Sequence, residues 1–282
     1  MKRFLLREAP DKNGSVLLRG GDYHYLVHVR RLKRGGAFEA LLPDGKTARV
    51  TVRGITDHAL EGMIAPPAPA DLETPAGPGP RTGSAEIGLP PLYLFQALPR
   101  GTKMDLIVRQ AAEGAVSEVV PFTGERSVPG PQGPGTPREE RWCRIIREAR
   151  QQSGSLIDTR LHPLLSGEEL LAYWEQLRAK ENSALGLLFH ESPLPPGSLP
   201  AAGPGPLEKG GFHRYLSKEP ALVVLAVGPE GGFSPAECKR FIDAGFKALR
   251  LGDTVLRAET AALYGAAAVR MILLEKPWWT LK

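Results

Sequence analysis

The first part of the chain, up to about residue 65, consists of short runs in which apolar and polar residues alternate. A period of two is typical of strands with one buried face, and turn signals such as Asp44-Gly45 separate the runs. The runs are residues 3–6, 15–18, 37–42 and 48–52. Residues 23–32 fit one short helix between the second and third runs. The pattern predicts a small β-barrel that carries one helix.

The pattern changes after residue 91, where continuous apolar runs alternate with helical spacing. Residues 92–97 and 117–122 have the composition of buried strands, and an amphipathic helix lies between them, with Lys103 on its outer face. Thr102 and Asp105 fit a capping box at the start of that helix. A strand, helix and strand of these lengths form a parallel crossover unit, so this region is predicted to be α/β.

Three stretches are too rich in proline and glycine to form strands or helices: residues 65–91, 129–137 and 193–211. The first separates the two patterns and therefore marks a domain boundary. We predict a β-barrel domain at 1–68, a linker at 69–91 and an α/β domain at 92–282. No function is assigned to the other two stretches.

The segment 223–269 contains two glycine-broken loops. An apolar strand, 221–227, ends at Gly228-Pro229-Glu230-Gly231-Gly232, where glycines permit positive φ angles and a close approach of the backbone to a ligand. Ser234 and Glu237 then fit a capping box, with proline at the first helical position. The second loop is 252–256. The two loops predict a ligand site, although a tight turn without a ligand is an alternative for the first.

Two further elements belong to the same region. A candidate strand, 185–191, ends in polar residues, which is where ligand sites of α/β proteins usually open. The last predicted helix, 260–274, is apolar on nearly all sides. Such a helix has no face suited to water, so it must be buried in a core or against another subunit.

The chain is basic, with a formal charge of +5 and a pI near 9.2, which is compatible with a polyanionic partner. A cluster at 30–34 and an arginine-rich helix face at 141–150 are either phosphate-contacting surfaces or merely solvated ones. Cys143 and Cys238 lack the spacing of a metal site or a disulfide framework and are expected to be packing residues. Without a signal peptide or a membrane-spanning run, a cytoplasmic location is expected.

Known phosphate and catalytic motifs are missing from the sequence. The phosphate-loop pattern fails at Gly45-Lys46-Thr47, because Ala40 stands where its first glycine should be. The patterns G-x-G-x-x-G, G-x-S-x-G and HExxH are absent. What remains is a backbone-lined pocket with an apolar wall of Leu251, Val255 and Leu256, which suits a heterocycle with polar edges.

The motif GPEGGFS, followed by AGF, LG and LRAETAA, closely resembles the cofactor segment of the SPOUT superfamily, specifically its RsmE-like 16S rRNA uridine-N3 methyltransferase family. Gln96-Ala97-Leu98-Pro99-Arg100-Gly101 with Lys103-Met104, and Glu125-Arg126-Ser127, agree with the same family. One departure is Glu113-Gly114-Ala115-Val116, where the family usually has Glu-Leu-Gly-Val.

This resemblance implies a fold, a cofactor and a partner. The fold is a C-terminal α/β trefoil-knot domain that binds S-adenosylmethionine, with an N-terminal PUA-like barrel that holds RNA. The partners are 16S rRNA or the small ribosomal subunit, and the chain would be a homodimer without a metal. By matching position, the cofactor contacts are Glu191, Gly228, Glu230, Gly231, Gly232, Leu251, Gly252, Leu256 and Arg257. Candidate RNA contacts are Arg3, His24, Arg30, Arg31, Lys33, Arg126 and Arg144.

The catalytic hypothesis concerns Arg257 and Glu259. Arg257 would donate to a uracil carbonyl oxygen, while Glu259, or as a weaker candidate Glu230, would accept the proton of the ring nitrogen. An alternative is that Arg257 and Glu259 form an ion pair that only braces the loop. A non-catalytic RNA-binding or ribosome-assembly factor that kept the fold is the alternative function.

Overall fold

A computed structural model describes residues 4–6, 8–43, 46–64, 88–127, 135–181, 183–190 and 211–279. The chain divides into two compact units, Met1–Gly83 with Arg150–Leu156, and Ser84–Ala149 with Ile157–Lys282. Most of the predicted linker, as far as residue 87, and residues 193–210 lie outside the described ranges.

The first unit contains a five-stranded sheet in the order β1-β3-β4-β5-β2. Its strands are β1 (Phe4–Leu5), β2 (Ser15–Arg19), β3 (Ala37–Leu41), β4 (Thr47–Ile55) and β5 (Ala59–Ile64). The four predicted runs coincide with β1 to β4. The alternation does not indicate β5, in which Gly62 interrupts the apolar pattern; a Cβ there would lie 2.5 Å from a methyl group of Val50. Glycine thus permits close packing inside this sheet.

The predicted helix of the first unit is present but begins and ends earlier than expected. Helix α1 (Gly20–His24) continues into a π-helical turn, Tyr25–Val29, which buries Leu26. Arg31 has a φ of 54°, a left-handed conformation that a continuing helix cannot accommodate. The helix therefore ends before residue 31.

The second unit contains a seven-stranded parallel sheet in the order β12-β10-β11-β6-β7-β8, with β9 also paired to β7. Its strands are β6 (Leu92–Ala97), β7 (Glu118–Thr123), β8 (Arg160–Leu161), β9 (Leu165–Ser166), β10 (Ala184–Phe189), β11 (Leu222–Val227) and β12 (Lys247–Leu249). All six residues of β11 are buried, as expected for a central parallel strand. The α/β prediction is confirmed for this unit.

Helices cover both faces of the parallel sheet. They are α2 (Lys103–Glu113), α3 (Pro137–Ser153), α4 (Gly167–Lys180), α5 (Gly211–Tyr215), α6 (Pro235–Asp243) and α7 (Ala258–Trp279). Val223, Leu225 and Val227 share one core with residues of α2, α3 and α7, whereas Val224 and Ala226 share the other with residues of α4 and α6. Alternate residues of β11 thus serve two separate cores.

The two predicted capping boxes of this unit have different outcomes. The Ser234 hydroxyl accepts from the Glu237 N–H at 3.0 Å, and the Glu237 carboxylate accepts from the Ser234 N–H at 2.8 Å, so α6 is capped as predicted. Thr102 is the N-cap of α2, so the predicted start of this helix is confirmed, but its side chain makes no cap hydrogen bond and the capping box is not formed. The Asp105 carboxylate instead accepts from the Trp142 indole at 3.1 Å and pairs with Arg141, which joins α2 to α3.

Helix α7 is buried on one side and exposed on the other. Gly265 lies against the Phe189 ring so closely that a Cβ would stand 2.0 Å from it. Four apolar side chains of α7 are between 40% and 58% exposed: Leu263, Tyr264, Met271 and Leu274. The core of this unit therefore covers one face of the helix, as predicted, but the opposite apolar face is exposed.

The burial of two cysteines and one arginine can be compared with the sequence predictions. Cys238 is buried as expected, whereas Cys143 is exposed and is not a packing residue. Arg150 is buried, so it does not belong to the solvent-facing arginine surface of α3.

Among the described residues, no helix has both the length and the apolar composition that crossing a membrane requires.

Candidate active site

Two loops face each other across a cleft at the carboxyl ends of β10 and β11. This end of a parallel sheet is where α/β proteins bind ligands. The cleft encloses about 580 Å³, which includes its open mouth. Its lining consists of Phe189, His190, Val227, Gly228, Pro229, Glu230, Gly232, Arg250, Leu251, Gly252, Thr254, Leu256, Ala258 and Ala261. Backbone-rich loops and apolar side chains thus meet at the edge of the sheet where ligands usually bind.

Most of the predicted cofactor residues meet at this cleft. Six of them line it: Gly228, Glu230, Gly232, Leu251, Gly252 and Leu256. Gly231 and Arg257 do not line the cleft. Gly231 packs against the Arg126 side chain, and the Arg257 side chain is exposed. Glu191 lies outside the described residues.

The apolar wall of the cleft is smaller than the sequence predicts. Leu251 and Leu256 line the cleft as expected. The prediction for Val255 is wrong, because its side chain is 73% exposed and does not line the cleft.

The structure adds lining residues that the sequence analysis did not name individually, although several of them lie in segments that it predicted. Phe189 and His190 come from the carboxyl end of β10, where the change from apolar to polar residues is a usable signal. Thr254 lies within the second glycine loop. Ala258 and Ala261 belong to the first turn of α7, and small side chains there leave room for a ligand. No spacing rule singles out an alanine as a lining residue, so only the fold identifies these two.

The first loop adopts a conformation that requires glycine. Gly232 has a φ of 64°. A Cβ on Gly228 would stand 3.1 Å from the Gly232 carbonyl carbon. The loop is closed by the Gly232 N–H, which donates to the Pro229 carbonyl at 2.9 Å. Its tight path brings backbone groups to the cleft surface, where they are available to a ligand.

Residues far away in the sequence hold this loop in place. Gln96, fully buried at the end of β6, donates its side-chain N–H to the Gly228 carbonyl at 3.4 Å. Arg126, which follows β7, donates to the Gly231 carbonyl at 2.6 Å. Because both residues come from the β6 and β7 ends, the loop conformation depends on the whole carboxyl edge of the sheet.

A charged cluster forms at the Glu230 edge of the cleft. The Lys103 ammonium donates to the Glu230 carboxylate at 2.6 Å and lies 3.8 Å from Glu259 Oε2. The Arg100 N–H donates to Glu230 Oε1 at 3.1 Å. Burial alone would raise the pKa of Glu230, but these hydrogen bonds and the Lys103 charge together lower it below its usual value. Glu230 is therefore ionised at neutral pH.

Behind the cleft, the Cys238 sulfur lies 3.7 Å from His190 Nδ1. Burial, with a smaller effect of the Glu237 charge, raises the pKa of Cys238 to about 11, so the thiol stays protonated. The direction of this weak hydrogen bond depends on the tautomer of the His190 ring.

The predicted RNA contacts fall in both units. His24 is exposed just before the π-helical turn, Arg31 and Lys33 are exposed after it, and Arg30, at its end, is partly exposed. Arg144 is exposed on α3, whereas Arg126 is engaged with the loop of the cleft. Arg3 lies outside the described residues.

Within the described part of the chain, no group of three or more His, Cys, Asp or Glu side chains is arranged to hold a metal ion.

The sequence is similar to known RNA methyltransferases. The family described as RNA methyltransferase domain matches residues 87–270. The chain is 30% identical to ribosomal RNA small subunit methyltransferase E of Aquifex aeolicus, over 90% of this chain and 93% of that protein. It is 28% identical to the protein of the same name from Synechocystis, over 94% of this chain and 76% of that protein.

A solved structure resembles the whole chain. It is ribosomal RNA small subunit methyltransferase E from Neisseria gonorrhoeae bound to S-adenosyl methionine, with a TM-score of 0.70, 23% identity, and coverage of 96% of this chain and 98% of that chain. At this identity the likeness concerns the fold. Together with the match over residues 87–270, the relatives identify the chain as a member of the RNA methyltransferase domain family, within its ribosomal RNA small subunit methyltransferase E branch.

Proposed function

We propose that this protein transfers a methyl group from S-adenosylmethionine to N3 of a uridine in 16S rRNA, with the cofactor held in the cleft between the two glycine loops. The observation that carries the proposal is that six cofactor positions of the family meet at one cleft, inside the matched domain. The S-adenosyl methionine in the Neisseria gonorrhoeae relative supports the choice of cofactor.

The cleft has the groups that such a cofactor requires. Val227, Leu251 and Leu256 offer an apolar wall for the adenine ring, and the glycine loops offer backbone donors and acceptors for its polar edge. When bound, S-adenosylmethionine supplies a methyl group on a positively charged sulfur, which keeps the electron pair of the broken bond while uracil N3 forms the new one. The residues of the chain then have to orient the base and remove its N3 proton.

We assign these tasks to Arg257, at the end of the second loop, and Glu259, in the first turn of α7. Among the described residues, the exposed Arg257 guanidinium has no hydrogen bond or ion pair, so it is free to donate to a uracil carbonyl oxygen. Glu259 faces Lys103, and no ion pair with Arg257 is found in the described ranges. This favours proton acceptance by Glu259 over the bracing pair.

RNA binding is assigned to basic residues of both units. Residues 1–68 would form the PUA-like RNA-holding domain, with His24, Arg30, Arg31 and Lys33 contacting phosphates, and Arg144 would add a contact from α3. A charge-reversing variant, Arg31→Glu with Lys33→Glu, is expected to weaken RNA binding and flatten its salt dependence. An unchanged slope of log Kd against log salt concentration would exclude this surface.

Two finer features of the family are part of the proposal. The cofactor loops would belong to a deep trefoil knot, and the protein would be a homodimer. The exposed apolar face of α7, with Leu263, Tyr264, Met271 and Leu274, supports the dimer because it leaves apolar surface without cover. Sedimentation analysis of Leu263→Glu should show monomers where the wild type shows dimers; a monomeric wild type would exclude this part.

The test of the function has two measurements. Titration calorimetry should show S-adenosylmethionine binding, and mass mapping of 16S rRNA after incubation with small ribosomal subunits should show one added methyl at uridine N3. Arg257→Ala is expected to keep cofactor binding and to lose turnover. Absence of cofactor binding would favour a non-catalytic RNA-binding factor, and methylation at another atom would overturn the assignment of uridine N3.

A further inference from the structure

We propose that Lys103 is a positioning residue that holds Glu230 and Glu259 in one charge cluster, so that Glu259 keeps a carboxylate oxygen available for the proton of the substrate base. This inference rests on the proposed function. The sequence pattern placed Lys103 on the outer face of its helix, without a role. The structure instead joins it to carboxylates from two other segments.

The location of Lys103 is unfavourable for the helix that carries it. It is the first residue of α2, and a cation at a helix N-terminus is opposed by the positive end of the helix dipole. Anions are favoured at this end, and Glu230 also accepts the Arg100 N–H just before it. Lys103 therefore gains its stabilisation from the two carboxylates and not from α2.

The cluster has one more negative than positive charge, and the distances show which carboxylate carries the excess. Lys103, Glu230 and Glu259 together carry one net negative charge when all three are ionised. Lys103 is much closer to Glu230, at 2.6 Å, than to Glu259 Oε2, at 3.8 Å. Arg257 is exposed and makes no ion pair with either carboxylate within the described ranges. Glu230 is thus neutralised by a direct hydrogen bond, and the excess negative charge resides mainly on Glu259.

Glu259 Oε2 is a buried acceptor that lacks a donor. Its side chain is 13% exposed, and this oxygen has no hydrogen bond among the residues that the structure describes. A buried carboxylate oxygen is costly unless a nearby cation or donor offsets its charge, and Lys103 lies 3.8 Å from it. Because a substrate base cannot reach this enclosed oxygen, we assign the N3–H of uracil to the other oxygen of the carboxylate, Oε1.

The proton step balances without another reactant. The N3–H bond breaks, its proton forms an O–H bond on Glu259, and the electron pair stays on N3 for the methyl group. Glu259 becomes neutral while Lys103 remains paired with Glu230, so the cluster passes from one negative charge to zero. The proton then leaves to solvent when the product departs.

The experiment compares Lys103→Met and Lys103→Arg with the wild type, and uses Lys239→Met as a matched control. Lys239 is an exposed lysine of α6 that pairs with Asp243, outside the cluster. Single-turnover methylation of small ribosomal subunits is measured at neutral pH, together with S-adenosylmethionine affinity and thermal unfolding.

Lys103→Met should lower the single-turnover rate by about tenfold or more, while S-adenosylmethionine affinity and thermal unfolding keep their wild-type values. Lys103→Arg should restore most of the rate because it keeps a cation beside the two carboxylates, and Lys239→Met should match the wild type. A normal rate for Lys103→Met, or a reduced rate that Lys103→Arg fails to restore, would overturn the proposal. If the wild type itself transfers no methyl group, the proposed function fails and this inference falls with it.

Discussion

The Arg126 guanidinium donates to the Gly231 carbonyl at 2.6 Å, which joins the segment after β7 to the loop of the cleft across 105 residues of sequence. The same side chain packs against Gly231, where a Cβ would stand 3.3 Å from Arg126 Cδ. A residue that was predicted to contact RNA thus supports the first glycine loop from outside.

Replacing Arg126 tests which of the two roles dominates. We expect Arg126→Ala to weaken S-adenosylmethionine binding by about tenfold, since the Gly231 carbonyl loses a charge-assisted hydrogen bond. Arg144→Ala, on the exposed surface of α3, should leave this affinity unchanged and weaken only RNA binding. Calorimetry and RNA filter binding measure the two effects. Equal cofactor affinity in both variants would contradict the supporting role.

Gln96 is a second support, and its replacement should affect stability. Its N–H group donates to the Ala97 carbonyl at 2.9 Å and to the Gly228 carbonyl at 3.4 Å, and the side chain is fully buried. Gln96→Leu should lower the free energy of unfolding by about 1–3 kcal/mol, because buried carbonyl groups lose a donor. The exposed Gln176 of α4 provides the control, and Gln176→Leu should be nearly neutral in denaturant titrations. Equal effects of the two substitutions would argue against a supporting hydrogen bond.

The capping boxes of α4 and α6 allow a matched comparison. The Ser234 box of α6 is buried, whereas the Ser166 box of α4, with Glu169, is exposed. We expect Ser234→Ala to cost about 2 kcal/mol and Ser166→Ala about 0.5 kcal/mol, the upper and lower ends of the range for such caps. Water can replace the exposed hydroxyl but not the buried one. Equal losses in urea unfolding would show that burial of the cap has no effect.

Ala115 occupies a position where glycine should be better. Its φ is 57°, a left-handed conformation that costs a residue with a Cβ about 1–2 kcal/mol, and the related family usually has glycine there. Ala115→Gly should therefore raise the free energy of unfolding by about 1 kcal/mol. Ala172→Gly, at an exposed position inside α4, should lower it by about the same amount. Chemical denaturation of both variants checks the opposite signs.

The elements that the sequence predicts well are those with one strong local cause. The run 222–227 is apolar throughout and is a central strand, and the Ser234 box is satisfied by residues three positions apart. Thr102 and Asp105 have the same spacing, but Asp105 is taken by Trp142 and Arg141 of another helix. A local pattern cannot reveal that a distant donor competes for a side chain.

The sequence predicts the glycine loops of the candidate site, but it does not predict the distant residues that hold these loops in place. Gly228 and Gly252 are recognisable because the backbone needs them, and both line the cleft. Lys103 and Gln96 act on residues more than 125 positions away, so their roles exist only after the sheet has brought β6 beside β11. Similarity to a family can point to such residues as part of a motif, but only the structure shows the contacts that they make.

The contact between Gly265 and the Phe189 ring links the dimensions of the cleft to the position of α7. Phe189 lines the cleft, and the first turn of α7 carries Ala258, another lining residue, and Glu259. A single added methyl group at residue 265 would push the start of this helix away from the sheet. The distance between the sheet and the first turn of α7, which carries Glu259, is therefore limited by one hydrogen atom on a glycine about two helical turns away.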